Sequence, residues 1–162
     1  DARIAALETW FSDAAAIGTG GSNIEMPCAG GAWAFDPAND PTNAGFVRDE
    51  GAVLVLIFIS DEPDQTPSTI SGMPGGQVML QKVATAKAGC GGLDCVVAGG
   101  FLPDQVCTNE ALRHFFDGLP EPAQIAPLPD DDLSPAQIAA EMDGFLAGTL
   151  AGVIAAKCAE IR

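Results

Sequence analysis

A chain of 162 residues, 48% of them apolar, is long enough to bury one core of ordinary domain size, which excludes disorder for the whole. Its 22 acidic against 7 basic residues leave a formal net charge of -15, which argues against nucleic acid or an anionic membrane surface as partner. That charge suits a soluble protein that meets cations or cationic partners, and equally one that it merely keeps soluble.

In chain order, Ile4, Leu7, Phe11 and Ala15 recur at helical spacing in an Ala-rich stretch and predict a helix over residues 3–16, ended by Gly18. After the loop "GTGGSN", Ser22 or Asn23 is placed to cap a second helix from Ile24 to Phe35, although Gly30 and Gly31 weaken it. Residues 36–45 form a turn-rich connector. A strand is predicted from Gly51 to Ser60, where apolar residues run unbroken from Ala52 to Ile59. Such a run without alternation marks a central strand covered on both faces of a parallel sheet. Pro63 and Pro67 break the chain after it. Residues 75–89 read as a helix, 95–101 as a second buried strand, 109–119 as a short helix and 123–129 as a third strand. A long helix closes the chain from its cap, Ser134, with Pro135 in the first turn.

Helices alternating with strands in this order predict an α/β domain over residues 1–162, a mostly parallel sheet flanked by helices on both faces. The apolar run from Gly144 to Ala156 is too short to span a bilayer and lies between Asp143 and Lys157. It is expected as a buried helix, with no membrane insertion. The chain opens on Asp1 with no signal peptide in view, which reads as a processed or excised piece of something longer.

Cys28, Cys90, Cys95, Cys107 and Cys158 are odd in number and lack paired zinc-ligand spacing, and His114 is the sole histidine. That pattern speaks against structural zinc and for an oxidising compartment. Cys90 and Cys95 can close a small loop across "CGGLDC", whose glycines let it turn.

In open α/β sheets, sites form at the carboxyl ends of strands, and "SDEPDQT" follows the strongest strand at once. Ser60, Asp61, Glu62, Asp64 and Thr66 offer only oxygen, the donor set of Mg2+ or Ca2+. A solvated polar turn is the competing reading. His114, beside two phenylalanines, reads as a partly buried packing residue, and Trp10 and Trp33 as core or contact residues on helices. No G-x-S-x-G, P-loop or dinucleotide fingerprint is present, so an enzyme is not expected. A hydrolase built on Asp61 or Asp64 would need a second acid or base converging on it.

The segment "NAGFVRDEGAVLVLIFISDEPDQTP" resembles the fourth-strand region of von Willebrand factor type A domains, in particular bacterial secreted ones, where an apolar strand ends in Asp followed by further acids. Upstream, "AAIGTGGSNIEMP" is similar to the loop of that family that carries a metal-binding threonine. The likeness covers residues 5–67, and the remainder through element order. It implies that the Thr19 hydroxyl coordinates a divalent ion and that Asp61 acts on it directly or through water, leaving a position for a partner's carboxylate. The function it implies is an extracytoplasmic protein-interaction or adhesion module, secreted or in a bacterial cell envelope.

The family's first metal motif, D-x-S-x-S, is missing ahead of Thr19. A D-x-T-x-S string, Asp64, Thr66 and Ser68, lies after the wrong strand and reads as coincidence with that motif, while Asp64 stays with Thr19 and Asp61 among the candidate metal residues. By this likeness the chain is the C-terminal portion of such a domain, with one strand edge unpaired. A second chain or fragment is expected to supply the rest, with Cys28 available to join it. The alternative is a structural subunit of a larger surface or secreted assembly whose metal site is degenerate.

Overall fold

A computed structural model describes residues 26–35, 47–102, 110–130 and 132–161, with Ala6, Thr9, Ile24 and Gly45 besides. The helix predicted over residues 3–16 therefore lies outside the described residues apart from Ala6 and Thr9. In chain order the elements are α1 (Pro27–Ala34), β1 (Leu54–Ile59), β2 (Thr69–Ile70), β3 (Met73–Pro74), α2 (Gly75–Ala86), β4 (Val96–Leu102), α3 (Glu110–Asp117) and β5 (Gln124–Pro127). A C-terminal helix follows as α4 (Pro135–Phe145) and α5 (Ala151–Glu160), joined by a wider π turn over Leu146–Leu150. α1 starts at Pro27, a residue pre-set for a first helical position, which is later than the predicted Ile24.

Three strands form a parallel sheet in the order β1-β4-β5, as the alternating element order predicts. β2 and β3 make a separate antiparallel hairpin turned at Ser71 and Gly72, whose φ angles of 51° and 82° are those of a tight hairpin turn. One face of the sheet packs on the first three helices. Phe58, Val96, Ala98 and Leu102 meet Cys28 and Ala32 of α1, Met79 and Val83 of α2, and Leu112 and Phe115 of α3. Leu112 and Phe115 are wholly buried, and each such side chain contributes about 1.5–3 kcal/mol. α2 and α3 cross with backbones almost touching, since a Cβ on Gly76 would fall 2.0 Å from the Ala111 carbonyl oxygen.

Among the described residues, the C-terminal helix meets the opposite face at β4. The Phe145 ring meets Phe101 at 4.9 Å, and Leu150 Cδ1 sits 3.1 Å from where a Gly99 Cβ would be. All seven residues of β4 are buried in consequence. β4, not β1, is the central strand among the described residues. β1 lies at the edge, with Ile57 49% and Ile59 55% exposed, which corrects the expectation of a central strand covered on both faces.

Ser134 caps the C-terminal helix as predicted. Its hydroxyl accepts from Gln137 N–H while the Gln137 side chain accepts from Ser134 N–H at 3.1 Å, a reciprocal capping box. The expectation of a buried helix is corrected, because Leu150 alone among its residues is fully buried. The outward residues are mainly alanine and glycine; alanine raises mean hydropathy, and both have little area to hide. The helix is continuous from Pro135 to Glu160, 26 residues, and is long and apolar enough by length and composition to cross a membrane. The stretch from Gly144 to Ala156, taken alone, concealed that length.

Lys87, at the end of α2, fixes the segment leading into β1. Its Nζ is buried and donates to the Ala52 carbonyl at 2.8 Å and to that of Arg48. Gly89 N–H adds a bond to Asp49 Oδ1 at 2.7 Å. Burial lowers the Lys87 pKa and Arg48 lowers it further, while Asp49 pulls it back up.

Candidate functional site

Ser60 follows β1 and extends its ladder by one bond, its N–H donating to the Phe101 carbonyl at 3.2 Å. The Ser60 hydroxyl then turns back and donates to the Glu62 carbonyl at 2.9 Å. That local turn sends the two flanking acids into solvent, so Asp61 and Glu62 stand exposed at the carboxyl end of β1. Asp61 thus stands at the carboxyl end of an edge strand among the described residues.

Asp64 goes the other way. It is 1% exposed, and its Oδ1 accepts from Thr66 N–H at 3.0 Å and from the Thr66 hydroxyl at 2.6 Å. A side-chain oxygen that accepts from the amide two residues on is a turn-forming arrangement characteristic of Asp. Thr66 Oγ1 in turn accepts the Ala29 N–H at 3.0 Å. The first amides of a helix have no partner within it, and the residue preceding α1, Met26, offers no capping oxygen. Thr66 supplies that cap from 37 positions away. Asp64 and Thr66 therefore anchor the loop after β1 to the start of α1.

Thr19, the third candidate metal residue, lies outside the described residues. Asp61 and Asp64 do not converge, one standing in solvent and the other turned into the fold. Among the described residues no group of three or more His, Cys, Asp or Glu side chains is placed to hold an ion.

Cys28 is free and buried, its Sγ donating to Met79 Sδ at 3.6 Å. Burial, with the nearby charge of Asp64 as the smaller cause, pushes the thiol pKa up to about 12. Such a thiol can join a second chain only if the core opens. Cys158 is free and half-buried. Cys90 and Cys95 form the disulfide their spacing suggests, with Cα atoms 5.9 Å apart and Gly91 and Gly92 turning between them at φ of 105° and 71°. This link sits at the amino end of β4, away from Asp61.

His114 is exposed on α3 rather than partly buried, and Trp33, expected as a core or contact residue on a helix, lies on α1 and is 61% exposed, outside the core. A groove of about 580 Å³ is lined by Leu102, Phe116, Leu119 and Ile125, with the exposed Arg113–Asp117 pair, 3.4 Å apart, on its rim. Sequence reasoning missed Lys87, and it named Thr66 only as an oxygen donor and not as the cap of α1, since each acts on backbone more than thirty positions distant. The available signals were Asp and Thr two apart after a strand and a lone lysine closing a helix.

The chain matches no protein-family model, no curated protein and no solved structure.

Proposed function

We propose that this chain is an extracytoplasmic protein-binding module, not an enzyme, whose contact site is the carboxyl end of β1 around Asp61. The observation that carries the proposal is the exposed Asp61 carboxylate, set directly after a parallel strand on a loop that Asp64 and Thr66 hold in place. The likeness to von Willebrand factor type A domains supports a divalent ion there, and oxygen donors suit Mg2+ or Ca2+. Asp61 fits such an ion by chemistry and exposure. Asp64 fits less well, with Oδ1 engaged by Thr66. Asp61 and, by the family likeness, Thr19 would hold the ion, whose chemistry is to attract a carboxylate from the partner.

The Cys90–Cys95 disulfide supports an oxidising location, secreted or in the cell envelope. A second chain or fragment that completes the sheet belongs to the same proposal. The test is calorimetric titration with Mg2+ and Mn2+ of the native chain and of Asp61→Ala. Binding to the native chain that disappears in the variant is expected. Absence of binding to both ions, or binding that survives Asp61→Ala, overturns the metal part. A structural subunit with a degenerate metal site is the second reading, favoured by the lack of a converging ligand group among the described residues.

A further inference from the structure

We propose that the outer edge of β1 docks an extended apolar segment of a partner protein that is flanked by basic residues at both ends and adds to the sheet as a fourth strand. This deepens the view that a partner completes the sheet, and it does not depend on a bound cation.

β1 reads Leu-Val-Leu-Ile-Phe-Ile, apolar at every position, and among the described residues it pairs only with β4. Edge strands are ordinarily protected by charge, proline or a bulge, and this one has none of these within it. Register locates the bare surface. Val55, Ile57 and Ile59 lie beside Val97, Gly99 and Phe101, on the face that the C-terminal helix covers through Phe145 and Leu150. Among the described residues that cover is seen at β4, and Ile57 and Ile59 stay exposed beside an edge. A segment that pairs with the edge by backbone hydrogen bonds can cover those two side chains with its own.

Charge selects the occupant. Exposed Asp49 and Glu50 precede β1 and exposed Asp61 and Glu62 follow it, with Arg48 the one cation among them. In a two-fold pairing of β1 with its copy, strands run antiparallel. Asp61 and Glu62 of one chain would then meet Asp49 and Glu50 of the other, and each chain carries a net charge of -15. Like charges so placed disfavour the pairing, and a foreign strand with lysine or arginine at each end satisfies both clusters.

The probe is a fluorescein-labelled peptide of alternating valine and threonine between paired lysines, compared with one between paired glutamates. Anisotropy is read with EDTA present, so that failure of the metal site does not affect the outcome. The lysine-flanked peptide is expected to bind at least about tenfold more tightly, and to weaken as salt is raised. Ile57→Lys with Ile59→Lys should abolish binding at unchanged circular dichroism. If that pair unfolds the chain, Ile57→Thr with Ile59→Thr keeps strand preference and should weaken binding. Binding of neither peptide overturns the docking site, and equal binding of both overturns the basic flanks. Light scattering that shows a dimer dispersed by Ile59→Lys overturns the foreign partner in favour of a second copy.

Discussion

Thr66 meets Asp64 Oδ1 twice, through its amide at 3.0 Å and its hydroxyl at 2.6 Å, and the same hydroxyl oxygen accepts the Ala29 amide at 3.0 Å. One side chain thus ties the loop after β1 to the first turn of α1. Removing the hydroxyl takes one bond from each partner at once, while the amide at position 66 still reaches Asp64. Thr66→Val keeps the volume but leaves the buried carboxylate short of a donor and the Ala29 amide without its acceptor. A loss of about 2–4 kcal/mol in urea unfolding is expected, with Thr66→Ser losing less than about 1 kcal/mol. Equal losses in the two variants would show that the hydroxyl is not the link.

Lys87 predicts a dependence on alkaline pH. Burial holds its pKa below the ordinary 10.5, so the folded chain releases this proton before the unfolded chain does. Between the lowered value and 10.5 the unfolded state binds more protons, and the Lys87 contribution to stability rises with pH. The native chain should therefore gain stability relative to Lys87→Met, read from urea midpoints, as pH rises towards 10.5. A loss of relative stability over that rise contradicts the assignment.

Two glycine substitutions are expected to act in opposite directions. A Cβ on Gly100 would fall 2.0 Å from the Phe58 carbonyl oxygen, so Gly100→Ala must push β1 and β4 apart. It should cost about 3 kcal/mol or leave the chain unfolded. Gly144 lies inside α4 with open space around it, and Gly144→Ala should stabilise by about 0.5–1 kcal/mol. Thermal melts of the two variants decide both.

Cys28 should resist alkylation. A buried thiol with its pKa pushed up to about 12 presents almost no thiolate near neutral pH. Iodoacetamide on the native protein is expected to spare Cys28 and to modify the half-buried Cys158. Urea should make both react, as read by peptide mass spectrometry. Modification of Cys28 in the native protein would show that the core around Met79 opens readily.

The backbone plan was open to reading from local pattern. The unbroken apolar run ending at Ile59 announces β1, and Ser134 with Pro135 marks the start of the last helix. Neighbour relations were harder to read. An apolar run cannot say which strand is central, and it is β4 that receives cover on both faces while Ile57 and Ile59 stay bare. Asp61, Glu62 and Asp64 look alike as a string of acids. What separates them is a buried threonine bond and a helix amide from a distant segment, neither of which leaves a periodic signal. The C-terminal helix misled through composition, because alanine scores as apolar whether it faces a sheet or water.

Gly99 and Gly100 sit side by side in β4, and an added methyl at either would strike the backbone of a neighbouring strand. In a survey of all single substitutions scored by cellular abundance, these two positions would appear as an intolerant block. Asp61, Glu62, Ile57 and Ile59, exposed at the surface, would accept most replacements in the same survey. Sensitivity measured that way would draw attention to a stretch of the sheet where only bulk is forbidden. A second survey scored by partner capture, subtracted from the first, would bring the edge and its acids into view.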